Sequence, residues 1–300
     1  MASVAQPVKS RRLRVDVAAL LLSIPAFVLV VVLFIYPFIY GLDVSTHTGY
    51  GGSGAATLNN FTSFFQDTYL RGTIWTTFVV ALPVTLFSVA LSVPLAYYMR
   101  RGIRLERLIT TILILPLTLG TVMVAQGMIN YFGPTGWFNR TLQSLHLISS
   151  PILLLQHNLA VEIALFIQGF PFVFLLVLGY MSAINPDLEK ASRMAGANEW
   201  QTFWRIIFPL TLPGIAIAFC LNFVANFGVF PTANLVGEPT HETHVLAVAA
   251  YNAAFTDFNQ PLGTAIALIM GALQLLVIGI VLFFQSRLAR GASISGGKGA

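Results

Sequence analysis

Few side chains in this chain of 300 residues are equipped for chemistry. Glu162 is the one acid inside a long apolar run, where it could titrate against an ion gradient, offer a counter-charge to a cation, or simply sit at headgroup level near the outer edge of the hydrocarbon. Gln126 and Asn130 stand four residues apart within one apolar run, and Asn222 and Asn226 do so within another. Each pair therefore lies on one face of a helix. Amides so placed either hydrogen-bond between helices or line the path of a polar solute. The single cysteine, Cys220, excludes a disulfide framework and any Cys-based metal site. Gly296-Gly297-Lys298 in the tail lacks the spacing, the Ser/Thr and the preceding strand of a phosphate loop. No constellation of His, Asp and Ser falls within an apolar run, which argues against a membrane-embedded enzyme. His241, His244, Tyr251 and Asp257 fall in a stretch that reads as a solvated loop.

The elements that must position these residues are written in the composition. Apolar residues make up 56% of the chain and charged ones only 9%. A soluble protein is about one-quarter charged, so a water-soluble domain is excluded. Six apolar runs of membrane-spanning length are expected: Val17–Tyr40, Thr73–Met99, Leu108–Tyr131, Leu159–Met181, Leu210–Phe230 and Leu262–Phe284. The first follows a basic stretch, but its core is too long for a secretory leader and no cleavage site follows, so it reads as an uncleaved span. Of the 16 basic residues, only Arg71 and Arg140 fall on one side of these runs. The others cluster on the opposite side, notably at Lys9–Arg14, Arg100–Arg107, Lys190–Arg205 and Arg287–Lys298. That asymmetry places both termini in the cytoplasm, with tails at 1–15 and 287–300 around a six-span domain at 16–286. The basic pI of 9.6 is thereby explained by topology and not by nucleic acid.

One inner connection, 185–209, has helical grammar although it need not span anything. Asn185 is a good N-cap and Pro186 a good first helical residue, with Asp187 and Glu189 at the positive end of the dipole. Gly196 suits the left-handed position that closes a helix. Asn198 and Gln201 then stand in capping-box spacing. Trp200, Phe203, Trp204 and Ile207 follow at the spacing of one helical face, and Pro209 separates them from the next span. Two short helices joined at a glycine are expected, either resting on lipid headgroups or meeting a partner.

The run Glu189-Lys190-Ala191-Ser192-Arg193-Met194-Ala195-Gly196-Ala197, continued by Ile206-Ile207-Phe208-Pro209, resembles the EAA loop of binding-protein-dependent ABC transporter permeases. Gly196 fixes the register, and Ile206 and Pro209 then fall on the family's Ile and Pro. Two positions depart: Lys190 stands where the family has Glu, with the acid one place earlier, and Phe208 replaces Leu. Thr57–Phe61 (Thr-Leu-Asn-Asn-Phe), Pro94–Tyr97 (Pro-Leu-Ala-Tyr) and Pro171-Phe172 resemble the spermidine/putrescine-type branch. The resemblance implies an all-α membrane protein of type I ABC importer permease architecture, in a prokaryotic plasma (inner) membrane. It implies coupling residues at Glu189, Lys190, Ala191, Arg193, Gly196, Ala197, Phe203, Ile206 and Pro209. It also implies partners: an ABC ATPase dimer that binds the ATP and Mg, a second, non-identical permease subunit, and an extracytoplasmic solute-binding protein. The chain itself would hold no cofactor and perform no catalysis. The candidate solute path comprises Gln126, Asn130, Glu162, Asn222 and Asn226, with a polyamine-like or related small charged or polar compound as cargo. The alternative is an ion-coupled secondary transporter working through Glu162, though the two halves show no convincing inverted repeat.

Overall fold

A computed structural model describes residues 17–102 and 106–294, so the basic N-terminal stretch, Arg104 and the Gly296–Lys298 tail lie outside the described residues. The chain opens with α1 (Val17–Val30) and α2 (Tyr36–Ser45), continuous through one wide turn at Val31–Ile35. A short α3 (Asn59–Gln66) leads into the long α4 (Thr68–Met99). Then come α5 (Glu106–Thr118), α6 (Thr121–Phe132), α7 (Trp137–Ser144) and α8 (Asn158–Ser182). Two short helices, α9 (Asp187–Met194) and α10 (Glu199–Thr202), precede α11 (Phe208–Phe227). The chain closes with α12 (Pro231–Leu235), α13 (Leu246–Tyr251) and α14 (Gln260–Ile294).

At the centre α4 packs on α8 and α11. The reason is legible along α4, where Thr73, Thr77, Ala81, Thr85, Ser88, Ser92 and Ala96 recur at three- and four-residue spacing and are all buried. Small side chains let membrane helices approach closely, which gains dispersion where water supplies no driving force. Hydroxyls on the same stripe also bond across helices. Thr77 Oγ1 accepts from the Leu246 amide at 2.9 Å, and Thr85 Oγ1 accepts from Asn226 Nδ2 at 3.1 Å. Met99, Phe174, Met181 and Ile207 fill one end of the trio.

Five helices among the described residues are long and apolar enough to cross a membrane, and the bent pair Leu108–Thr118 and Thr121–Ser144 makes a sixth only when its two halves are counted as one span. The span through α1 and α2 exposes Phe27, Leu33, Phe34 and Phe38, and α2 rests on α14. Such exposure is tolerable only where lipid or another subunit is the solvent.

Three expectations need correction. The run Leu108–Tyr131 is not one straight span: its helix breaks at Leu119–Gly120 and turns by 102°. Pro116 removes a backbone donor there, and Gly120 is extended (ψ 159°) as the N-cap of α6. Hydropathy reports that both halves are apolar, not that they point differently. Second, Pro209 does not separate the segment 185–209 from the span that follows. Glu199–Phe227 is continuous, with a wide turn at Phe203–Ile207 in which Phe208 N donates to Phe203 O. Proline has no N–H to give, and a turn widened by one residue absorbs the gap. Third, His241–Asp257 is not merely a solvated loop. It includes α13, with Leu246, Val248 and Ala249 buried, and it buries His244 against Tyr69.

Candidate functional site

Two sites emerge, one at an end of the bundle and one inside it. At the end, α9 starts where expected: Asn185 Oδ1 accepts from the Asp187 amide at 2.9 Å. It stops at Gly196, whose φ of +84° is left-handed. There the Ala197 amide reaches back to Ser192 O at 3.1 Å, closing the helix. The Asn198–Gln201 capping box forms in both directions. Ser192 Oγ and Thr202 Oγ1 bond to each other in the interior, which fixes α9 against α10.

This pair is pinned to the end of α4. Arg100 Nη2 lies 3.0 Å from Glu189 Oε1, with side chains only 5% and 10% exposed, and Arg193 approaches the other carboxylate oxygen at 3.4 Å. The Arg100 contact is one of close charges and not of aligned hydrogen bonds, for neither Glu189 Oε1 nor Arg100 Nη1 has a hydrogen-bond partner. Arg101 meets Glu199 at 3.2 Å, donates to the Tyr97 hydroxyl at 2.7 Å and lies over the Tyr97 ring. Partial burial works against the Arg101 charge, but Tyr97 and Glu199 outweigh it and hold its pKa above the ordinary arginine value. Phe203 packs on the other side of this corner, 4.8 Å from Tyr97.

Glu189 and Phe203 therefore face inward, and Ile206 and Pro209 are half-buried. Lys190, Ala191, Arg193 and Gly196 face outward, with Ala197 between. Lys190 pairs with Asp187 at 2.8 Å on the exposed side. The four-residue aromatic face expected from spacing is split: Phe203 and Ile207 are buried, whereas Trp200 is 70% exposed and Trp204 about half. Trp200 and Trp204, four residues apart, pack on each other on the exposed side with ring centroids 5.5 Å apart. Spacing offered no hint of Arg100, which the charge pattern marked only as an inner-side cation. Nor did it mark Met194, 84% exposed on the outer face of α9. A rigid, capped helix pair presenting Met194, Ala195 and Trp200 outward can seat in a partner and transmit its motion.

The second site is a cavity of about 450 Å³ where the α5–α6 elbow meets α8 and α11. Leu117 and Thr121 flank the elbow. Gln168, Gly169 and Phe172 come from α8, Asn222 and Asn226 from α11, and Phe230 and Pro231 from the turn beyond. The two asparagines share a face as expected but not a role. Asn226 is 3% exposed and spends its amide donor on Thr85, an interhelical bond. Asn222 is 2% exposed and its Nδ2 has no partner. Its amide fits only because residue 169 is glycine: a Cβ there would lie 2.5 Å from Asn222 Oδ1. Gln126 and Asn130 are elsewhere, on the exposed side of α6, bonded to each other at 3.4 Å. Glu162 is not in the cavity either. It lines a separate apolar groove between α4 and α8 with Pro83, Phe87, Ile163 and Phe166. Sequence spacing missed Gln168 and Gly169, which a four-residue count from Thr121 or Asn222 does not reach.

Residues 88–290 match the family described as binding-protein-dependent transport system inner membrane component. The chain is 28% identical over 227 residues to the spermidine/putrescine transport system permease protein PotB of Haemophilus influenzae, covering 74% of this chain and 77% of that one. It is 27% identical over 290 residues to the trehalose transport system permease protein SugA of Mycobacterium tuberculosis, covering 93% and 91%. The crystal structure of a bacterial ABC transporter involved in the import of the acidic polysaccharide alginate shares the fold, with a TM-score of 0.76 at 20% identity over 91% of this chain and 96% of that one.

Proposed function

Since this chain belongs to the family of binding-protein-dependent transport system inner membrane components, we propose that it forms half of the path by which an ATP-driven importer carries a small polar solute inward. The observation that carries this reading is the α9–α10 pair, capped at each start and held to α4 by the buried Arg100–Glu189 contact. In this reading the pair seats in a cleft of one subunit of an ATPase dimer, which supplies the ATP and Mg chemistry. Lys190, Ala191, Arg193, Gly196 and Ala197 sit at that contact, and Glu189, Phe203, Ile206 and Pro209 brace it from behind. A second, non-identical membrane subunit closes the path, and an extracytoplasmic binding protein delivers the solute at the opposite end. Both termini then lie in the cytoplasm of a cell whose inner membrane the chain spans.

A polyamine-like cargo draws support from the branch resemblance and from the relatives named for spermidine and putrescine. The acid that would answer its charge, Glu162, opens into the α4–α8 groove instead of the cavity. An ion-coupled mechanism at Glu162 loses ground for the same reason, because coupling requires the acid and the solute to share a site.

Impermeant thiol labelling in intact cells tests the orientation, using single cysteines at Ser53 and Ala197 with Cys220 replaced by serine. Ser53 should react from outside and Ala197 only after the membrane is opened. Labelling of Ala197 in sealed cells refutes the assignment.

A further inference from the structure

Resting on the importer reading, we propose that the cavity at the α5–α6 elbow passes a neutral, hydroxyl-bearing solute of the carbohydrate or polyol class, and not a polycation. None of the described residues lining it is ionisable. Its polar groups are the amides of Gln168, Asn222 and Asn226 and the hydroxyl of Thr121, while Phe172 and Phe230 supply apolar wall. A polyamine entering such a site would shed water from two or more ammonium groups with no carboxylate from this chain in return, and unpaired charge is the costliest thing to desolvate. A hydroxyl asks for one acceptor and one donor at modest strength, and a primary amide offers both. Asn222 is poised for this. Its donor is uncommitted and its position depends on the missing Cβ of Gly169, whereas the neighbouring Asn226 is already engaged by Thr85.

The setting agrees. Interrupted helices are tolerated at membrane depth where they line a cavity, and solute sites gather at them. The volume of about 450 Å³ lies within the roughly 300–1,000 Å³ of small-molecule sites. Glu162 lies outside the cavity, in a separate groove that it shares with Phe166 and the α4 side chains Pro83 and Phe87.

The test uses the whole transporter, purified from its host through a tag on this chain and reconstituted with its binding protein. ATP hydrolysis is followed with a neutral set (trehalose, maltose, sorbitol) and a cationic set (spermidine, putrescine). The expected result is stimulation by the neutral set. Asn222→Leu should raise the half-stimulating concentration about tenfold, the upper range for one hydrogen bond to a neutral group. Gly169→Ala, which displaces the amide without removing it, should shift it in the same direction and serves if Asn222→Leu fails to assemble. Stimulation by the cationic set, by neither set, or by the neutral set with no shift in either variant overturns the proposal. A chain that co-purifies with no ATPase defeats the importer reading itself, whereas an ATPase complex driven by polyamines defeats only the solute class.

Discussion

At the α9–α10 end of the bundle, Arg100 meets Glu189 at 3.0 Å and Arg101 meets Glu199 at 3.2 Å. At the opposite end Tyr69 stacks on His244 with ring centroids 4.3 Å apart, and the Tyr69 hydroxyl donates to Thr240 O at 3.0 Å. Gln260 Oε1 accepts from the Gly51 amide, and Gln156 N donates to Val236 O. Both ends tie loops to helix termini, but the first does so with buried charge and the second largely with neutral groups. Burial holds the His244 imidazole below its ordinary pKa of 6.5, so it stays uncharged near neutrality. The His157–Glu242 contact there is half-exposed and adds little. The difference teaches what each end can withstand. A buried ion pair is rigid and fails when either partner is lost, while a neutral stack tolerates substitution and fails on protonation.

The largest effect is expected at the charged end. Glu189→Ala strands Arg100 in the interior, a change that costs about 3–5 kcal/mol where a buried pair loses one member. The purified complex should melt at a markedly lower temperature, and the Arg100→Leu, Glu189→Leu double variant should recover part of the loss. A melting temperature equal to that of the native complex would show that this contact holds nothing.

A smaller effect is expected at Gly196. Nothing lies within 4 Å of the site where a Cβ would be, so crowding is not the obstacle. The φ of +84° is left-handed, and for an L-residue such a turn costs about 1–2 kcal/mol, with a β-branched side chain at the upper end. Gly196→Val should weaken capture of the ATPase and lower uptake, and Gly196→Asn should do so less. Equal uptake by the valine and asparagine variants at equal membrane abundance would remove the conformational argument.

The smallest effect belongs to the neutral end. The folded-state pKa of His244 lies below its unfolded value of 6.5. The unfolded chain therefore binds a proton that the folded chain refuses as pH falls through that region, and stability drops there. Well above pH 6.5, where both states are deprotonated, the group contributes no slope. Thermal melts between pH 7.5 and 5.5 should show this decline, and His244→Phe, which keeps a ring against Tyr69, should flatten it. An undiminished slope in the variant would assign the acid sensitivity elsewhere.

The segment 185–209 is largely legible from the sequence, because helix caps are local. Asn185, Gly196 and the Asn198–Gln201 box act over three to five residues, and all four formed as their spacing predicts. The face beyond them is only half as expected: three- and four-residue spacing groups Trp200, Phe203, Trp204 and Ile207 on one broad stripe, but only Phe203 and Ile207 lie on the side that neighbouring helices cover. The cavity was legible only in part. The pairing of Asn222 with Asn226 follows from a four-residue interval, yet their division of labour depends on Thr85, 141 residues away from Asn226.

Composition and charge placement alone determined that this chain lives in lipid, since hydropathy and the bias of basic residues are sums over residues and need no geometry. The sequence likewise settled where the short helices start and stop, because those signals are carried within a single turn. Only the tertiary structure decided that the third apolar run bends by 102°, that Glu189 is buried under Arg100, and that Glu162 and Asn222 face different spaces. Each of these depends on which helix lies beside which, and burial, charge pairing and cavity lining are properties of neighbours distant in the chain.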